Sequence, residues 1–379
     1  MNDNRKIVKI NAQQLSLLPE DYCELFGLER QPKGRFSSSM ELYDALPKYY
    51  WGKQSRGKSL PSLRRHCRFR GHDLMIVIKP ARLFNARTGE EYEAYAGKKE
   101  ELVEDVLRKL AAEGRGMMLT DGLAATYSYY AIQQELARVG HKYSIAQIKE
   151  AIEICAGSQI QIIGEIGDEE FSRMSPMFKE VSQRSKSDWE KKGRDSVAMV
   201  QFHSLVTRSV QDLSFRQLDY ETCMGYLDNL ARQLHKRLSH FYTFASAGKP
   251  YEIGVRRIFE DCGMSVNAVV GKSYHRLCQA LDEMCPQRDT GGKYIVDEQG
   301  NHVGNRVVLR YEIARKVPDP ANPRKHYDII VRIFPHPEFT SQMKLNNAHT
   351  NRVKMRACNL HHANTGEYPA LESASAEEG

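Results

Sequence analysis

No stretch of 18 consecutive apolar residues occurs in the 379-residue chain, which excludes a helix long and apolar enough to span a bilayer. The opening residues also lack the apolar core of a secretory leader. Eight cysteines are scattered without a C-x-x-C pair. They read as reduced thiols in a cytoplasmic protein. Cys262, Cys278, Cys285 and His275 lie near one another in sequence, but their spacing matches no compact zinc module, so neither a metal nor another cofactor is expected. Acid is locally scarce. Between residues 48 and 87 a single carboxylate, Asp73, faces eleven cations: Lys48, Lys53, Arg56, Lys58, Arg64, Arg65, Arg68, Arg70, Lys79, Arg82 and Arg87. The net charge of the whole chain is only +7, so this local excess stands out and suits a polyanion. Tyr49, Tyr50 and Trp51 at its edge supply rings that either stack on bases or pack internally.

The clearest pattern lies at residues 220–334. A long helix is predicted from Tyr220 to Phe241, with Met224, Leu227, Leu230, Leu234, Leu238 and Phe241 on one face. Gly248-Lys249-Pro250 breaks the chain. A short amphipathic helix, Tyr251–Cys262, follows and ends at Gly263, a residue suited to the position just past a helix. Ser265 then stands as the cap of a third helix. A hairpin closes the unit, from Lys293–Glu298 through the turn Gln299-Gly300-Asn301 to Val303–Ile313. This order is that of a winged helix-turn-helix.

The third helix, Val266–Met284, turns Val266, Val270, Leu277, Leu281 and Met284 inward, with Tyr274 near the same stripe. Its other face carries Ala268, Gly271, Lys272, His275 and Gln279, flanked by Asn267, Ser273 and Arg276. Small residues let a helix enter a major groove, Lys and Arg match guanine acceptors, and Asn or Gln match adenine. No acid appears on this face before Asp282. The hairpin adds Lys293, Asn301, His302, Asn305, Arg306 and Arg310, which would position the protein on phosphates without reading sequence.

A second copy of the pattern occupies residues 98–166. Residues 100–111 turn Leu102, Val103, Val106, Leu107 and Leu110 inward, and a second helix runs from Tyr129 to Val139 and ends at Gly140. Ser144 with Gln147 fits a capping box that opens a third helix, and Gln159–Ile163 alternates as a strand. The exposed side of that third helix is Gln147, Lys149, Glu150 and Glu153. Two carboxylates would be repelled by phosphates, so this copy is expected to serve subunit or partner contact, with weaker docking on DNA.

The expected fold class is α+β, with two tandem winged-helix domains, a basic N-terminal extension and a disordered C-terminal tail. The boundaries read as 1–70 for the extension, 71–212 for the first domain, 213–340 for the second and 341–379 for a basic segment and tail. Within the first domain, Asp73–Pro80 is a strand with Glu91–Tyr95 as its partner, Arg184–Arg194 is a loop, and Val197–Val206 is a returning strand. Gln211–Leu218 reads as the linker and Tyr327–Phe334 as a further strand.

This layout resembles the initiator proteins of iteron-type plasmids. The resemblance covers residues 98–340 and rests on Phe215-Arg216-Gln217-Leu218-Asp219-Tyr220 leading into the second unit, and on Val266–Met284 as its reader helix. It implies a protein that binds direct repeats of duplex DNA at an origin, helps open an adjacent AT-rich stretch, recruits the host initiator and the replicative helicase, and exchanges between monomer and homodimer. It implies no catalysis and no membrane partner. The basic stretch at 48–87 is longer than in the smallest members, so whether it meets duplex, single strand or protein stays open.

Two other readings use the same residues. A transcriptional regulator or partition protein could carry the same DNA-binding unit. A tyrosine recombinase would use His349-Thr350-Asn351-Arg352 with Tyr368, but that tyrosine sits in a Gly- and Pro-flanked segment without a surrounding catalytic pattern. A rolling-circle nickase needs a His-hydrophobe-His triplet, and His361 and His362 are adjacent.

Overall fold

A computed structural model describes residues 10–27, 34–52, 56–85, 88–166, 169–182 and 197–369. Lys53, Arg87, the loop at Arg184–Arg194 and the last ten residues lie outside the described residues.

The first half runs α1 (Pro19–Phe26), β1 (Phe36–Met40), α2 (Glu41–Ala45), β2 (Arg56–Gly57), β3 (Leu63–Phe69), β4 (His72–Lys79), β5 (Ala81–Asn85), β6 (Glu90–Ala94), α3 (Lys98–Leu110), β7 (Gly116–Leu119), β8 (Gly122–Tyr127), α4 (Tyr129–Arg138), α5 (Ile145–Gly157), β9 (Gln159–Ile166), β10 (Glu169–Pro176), β11 (Phe178–Ser182), β12 (Ala198–Phe202) and α6 (Ser204–Gln211). Strands pair antiparallel in the orders β10-β9-β4-β3, β11-β12-β8-β7 and β2-β6-β5. Ser144 and Gln147 form the expected reciprocal capping box on α5, and Ser128, not singled out in the sequence, accepts from the Ala131 N–H to cap α4. Leu102, Val103, Val106, Leu107 and Leu110 are all buried against Ile148, Ile152 and Cys155 in one large core. Two expectations fail: β4 pairs with β3 and β9, while residues 90–94 pair with β5 and β2, and the strand expected over Val197–Val206 ends at Phe202, because His203 caps α6 and the chain turns helical.

The second half runs β13 (Phe215–Asp219), α7 (Tyr220–Gly225), α8 (Asn229–Phe241), β14 (Tyr251–Gly254), α9 (Val255–Asp261), α10 (Val270–Met284), β15 (Val308–Asp319), β16 (Asn322–Pro335) and α11 (Pro337–Thr365). The helix expected over Tyr220–Phe241 is two helices. Asp228 accepts from the Leu230 N–H at 2.8 Å and starts α8 anew, and Leu227, expected inside, is 74% exposed. Tyr251–Gly254 is a strand because Ile253 and Gly254 pair with Val331 and Ile330 of β16, so α9 begins only at Val255. Gly263, at φ +68°, ends α9 as expected. Ser265 caps nothing; α10 starts at Val270. The expected hairpin at 293–313 is displaced. The turn at Gly300 exists, but residues 286–304 make only isolated bridges. The ladder is formed by β15 and β16, with β14 as its third strand.

The two halves run similarly, α3, β7–β8, α4, α5, β9–β10 and α8, β14, α9, α10, β15–β16, the first having two strands where the second has one. The segments expected to be peripheral join them. β1, with all five residues buried, pairs with β13 from Phe36↔Asp219 to Met40↔Phe215, so neither a loose extension nor a linker describes these residues. Residues 341–365, expected within a basic segment and tail, belong to one 29-residue helix, Pro337–Thr365. Its start packs Phe339 and Met343 into the second core, and its far end packs Ala357 and Cys358 into the first. None of the described helices is long and apolar enough to cross a membrane.

Candidate nucleic-acid interface

α10 is held by an apolar face. Val270, Leu277, Ala280, Leu281 and Met284 are buried in the second core, and Tyr274 and Val266 pack at its edge. The opposite face, Gly271, Lys272, His275 and Gln279, is exposed along its length, and Ala268, expected on the helix, lies exposed in the loop just before it. At Gly271 an added Cβ would meet no heavy atom within 4 Å, so the surface there is open to an approaching body. Asp282, the first acid on this side, accepts a hydrogen bond from the Tyr311 hydroxyl at 2.6 Å, which ties α10 to β15.

Two of the flanking residues are withdrawn from this face. Ser273 is fully buried, and its Oγ accepts from the Asn267 N–H at 2.9 Å and the Asn267 side-chain amide at 3.4 Å. It closes the loop before the helix and cannot reach a base. Arg276 grips Asp228 with two nitrogens, one at 2.7 Å, and so binds α10 to the start of α8. Its hydrogen bond to Asp228 holds the guanidinium above its ordinary value. Ala268, Gly271, Lys272, His275 and Gln279 remain together, with Asn267 exposed beside them.

The residues expected on the wing are mostly occupied within the chain. Asn301 donates to Asp297 at 3.3 Å, and Asn305 donates to the Glu283 carbonyl at 2.6 Å. His302 stacks on Tyr294, with centroids 4.6 Å apart, and its Nδ1 lies 2.9 Å from His336 Nε2. Arg306 pairs with Glu338. Arg310 lies 3.5 Å over the Phe334 ring and pairs with Glu312 at 2.7 Å. Lys293 is exposed.

Not foreseen from the sequence is the true tip. β15 and β16 meet at Asp319-Pro320-Ala321-Asn322, and Arg315, Lys316, Arg324, Lys325 and His326 stand exposed around that turn. Among the described residues their side chains have no hydrogen-bond or ion-pair partner. Behind them Arg256 stacks 4.3 Å over the Tyr327 ring. The signal was the doubled cations, Arg315-Lys316 and Arg324-Lys325, on either side of Pro318-Asp319-Pro320.

The basic stretch divides in the same way. Arg65 is turned inward, donates to the Pro47 and Tyr49 carbonyls, and is pushed down to about 10 by burial. Arg56 pairs with Glu150 at 2.8 Å and Arg70 with Glu41 at 2.6 Å. Arg68 reaches the Gly71 carbonyl at 3.3 Å and lies 3.7 Å from Asp73. The period-2 alternation of β3 puts Arg64, His66 and Arg68 on the outer side and Cys67 inside. Lys58 and Arg64 are exposed without a partner among the described residues; Lys53 lies outside the described residues.

Gly52-Lys53-Gln54-Ser55-Arg56-Gly57-Lys58-Ser59 has the spacing of a phosphate-binding loop, a match not drawn from the sequence above. Such a loop needs a helix after its Lys-Ser pair. Here Arg56–Gly57 pairs with Glu93–Ala94, and the chain passes through Pro61 into β3. No helix N-terminus is present there to hold phosphates.

On α5, Glu150 is also engaged. It accepts from Lys99 at 2.7 Å, Arg56 at 2.8 Å and the Tyr92 hydroxyl at 3.0 Å. Partial burial opposes ionisation, but these partners outweigh it and hold the carboxyl below its ordinary value. Glu153 stays exposed. Among the described residues no three His, Cys, Asp or Glu side chains converge as a metal site. Tyr368 is exposed and stacks on His362, with centroids 4.0 Å apart.

No family model matches the chain, and no curated protein matches it. Solved structures do. The crystal structure of RctB domains 2–3 is 10% identical, with a TM-score of 0.44, over 79% of this chain and 98% of that one. A selenomethionine derivative of domain 2 and domain 3 of RctB gives 10% identity and a TM-score of 0.42, over 76% and 95%. The Pi initiator protein in complex with iteron DNA gives 11% identity and a TM-score of 0.35, over 63% and 91%.

Proposed function

We propose that the chain is a replication initiator of the iteron type, which binds repeated duplex sites at an origin through two winged-helix units. The observation that carries this reading is the outer face of α10. Gly271, Lys272, His275 and Gln279 are exposed along one side, with Ala268 exposed just ahead of the helix and no carboxylate before Asp282. The hairpin that packs on the same helix ends in exposed cations, Arg315, Lys316, Arg324 and Lys325. In a major groove Lys272 matches guanine acceptors and Gln279 matches adenine. The hairpin tip supplies phosphate contacts that set register and orientation. Arg64 and Lys58 extend the phosphate surface onto the first unit, whose α5 serves contact with a second copy or a host protein. The Pi initiator is described with iteron DNA; this chain is given the same class of ligand on the grounds of α10 and the hairpin alone.

On this reading the protein acts by binding. It promotes opening of an adjacent AT-rich tract, recruits the host initiator and replicative helicase, exchanges between monomer and homodimer, works in the bacterial cytoplasm, and makes or breaks no covalent bond. A binding titration with footprinting on the DNA flanking the gene tests it. Several evenly spaced protected repeats beside an AT-rich tract are expected. A single palindromic site would replace the initiator with a transcriptional regulator, and no protection would remove duplex binding altogether.

A further inference from the structure

The start of α10 departs from the usual chemistry of a helix N-terminus. The N-cap position favours Ser, Thr, Asp or Asn, whose side-chain oxygen accepts one of the unpaired N–H groups. Here the N-cap is Val269, extended at φ −102° and ψ 103°, and no side chain caps the helix. Val269 is not there for packing: it is 58% exposed and lies outside the second core. A capping residue at this position would stabilise the helix. Local departures of this kind, without a compensating gain inside the fold, concentrate at functional positions.

Its surroundings say what it could meet. Ala268 is exposed beside it, Gly271 leaves open space, and the polar part of the face begins with Lys272. Asn267, the polar residue ahead of Ala268, spends its side-chain amide on Ser273, so the groups offered at the leading end are apolar and those along the rest of the face hydrogen-bonding. Among base edges in the major groove, the apolar feature is the C5-methyl group of thymine. We propose that Val269, with Ala268, docks on a thymine methyl group and makes the protein demand thymine at a defined position of its site. This inference rests on the assignment of α10 as the reader helix.

The test uses the full chain. A duplex is first selected from a randomised pool, then remade with each thymidine in turn replaced by deoxyuridine, which lacks only the methyl. At one or two positions the replacement is expected to weaken binding about 4-fold, the effect of one buried methyl. In V269S the same replacement is expected to change nothing, while the unfolding temperature stays level or rises because serine caps the helix. Three results would overturn the proposal: no sensitivity to deoxyuridine at any position, equal sensitivity in V269S, or a lowered unfolding temperature of V269S, which would make Val269 a packing residue. Failure to select any duplex would instead remove the reader-helix assignment itself, and this inference with it.

Discussion

Arg232 of α8 and Glu101 of α3 meet at 3.1 Å with both side chains completely buried. Glu101 also accepts from Gln233 at 2.5 Å and from Lys236 at 3.2 Å, and Lys236 reaches Asp105 at 2.6 Å. Burial pushes the Glu101 carboxyl up, but Lys236 and Arg232 outweigh it and keep it below its ordinary value. The two halves are thus joined by ions that are matched one against another, and removing one member strands its partners without water.

Glu101→Ala should therefore cost about 3–5 kcal/mol, the range for breaking a buried pair. Replacing Glu101 and Arg232 together by apolar residues of similar volume should cost much less. Urea unfolding of the two variants checks this. Equal losses in both would show that the pair acts only through its packing.

His240 links stability to pH at the same junction. Its Nε2 lies 2.7 Å from Ser39 Oγ, and burial pushes the imidazole down to about 3. Burial also pushes His203 down to about 3. Each folded value lies below the unfolded value of about 6.5, so the unfolded chain takes up protons first. The stability held by the neutral rings is complete above about pH 6.5 and declines as pH falls toward the folded values, by about 1.4 kcal/mol per pH unit for each ring. Unfolding free energies at pH 7, 6 and 5 should fall, and His240→Gln should reduce the slope between pH 6 and 5 by about 1.4 kcal/mol per pH unit, while His203 and His235, which burial pushes down to about 4, keep much of the remainder. An identical slope in the variant would rule out His240 as the titrating group.

Side chains of the same type near α10 should separate by what they touch. Arg306 pairs with Glu338 and Arg276 with Asp228, whereas Lys272 is exposed and without a partner among the described residues. Lys272→Ala should lose about 1–3 kcal/mol of affinity for the selected duplex and relax the choice of base at one position. Arg306→Ala should leave both affinity and preference nearly unchanged, and Arg276→Ala should lower thermal stability with preference intact. Binding to a panel of single-base variants decides this. A base-specific loss in Arg306→Ala would break the assignment of Arg306 to the Glu338 pair.

What could be read in advance depended on how local the cause was. α4 and α5 were legible because Ser128, Ser144 and Gln147 satisfy their own helix ends within three residues. The break at Leu227 was hidden, because a leucine at the right step completes an apolar stripe whether or not the helix continues. β1 lies in what reads as the N-terminal extension; it is a buried strand because β13 pairs with it from far along the chain and Ser39 donates to Asp44 at 2.6 Å. α11 shows little apolar pattern because part of its buried face is polar: Asn346 donates to the Gln217 carbonyl at 2.8 Å, and Asn347 accepts from Arg216 at 2.6 Å. The inward and outward faces of α10 were legible from periodicity. The loss of Ser273 and Arg276 to internal partners was not, since Asn267 and Asp228 are brought to them only by the fold.

The hairpin tip gives the last prediction. Arg324 and Lys325 stand at the end of a ladder whose body is paired inside the sheet, and no carboxylate neutralises them among the described residues. Cations placed on phosphates release bound counterions, so each contact contributes about 0.9 to the slope of log K against log salt. Arg324→Ala with Lys325→Ala should therefore lower that slope by about 2 and weaken binding to selected and unrelated duplexes by similar factors. Lys293→Ala, in the segment where the sequence placed the wing, is the control and should change the slope much less. If Lys293 carried the salt dependence and the tip did not, the DNA would lie against residues 286–304, and the hairpin β15–β16 would point away from it.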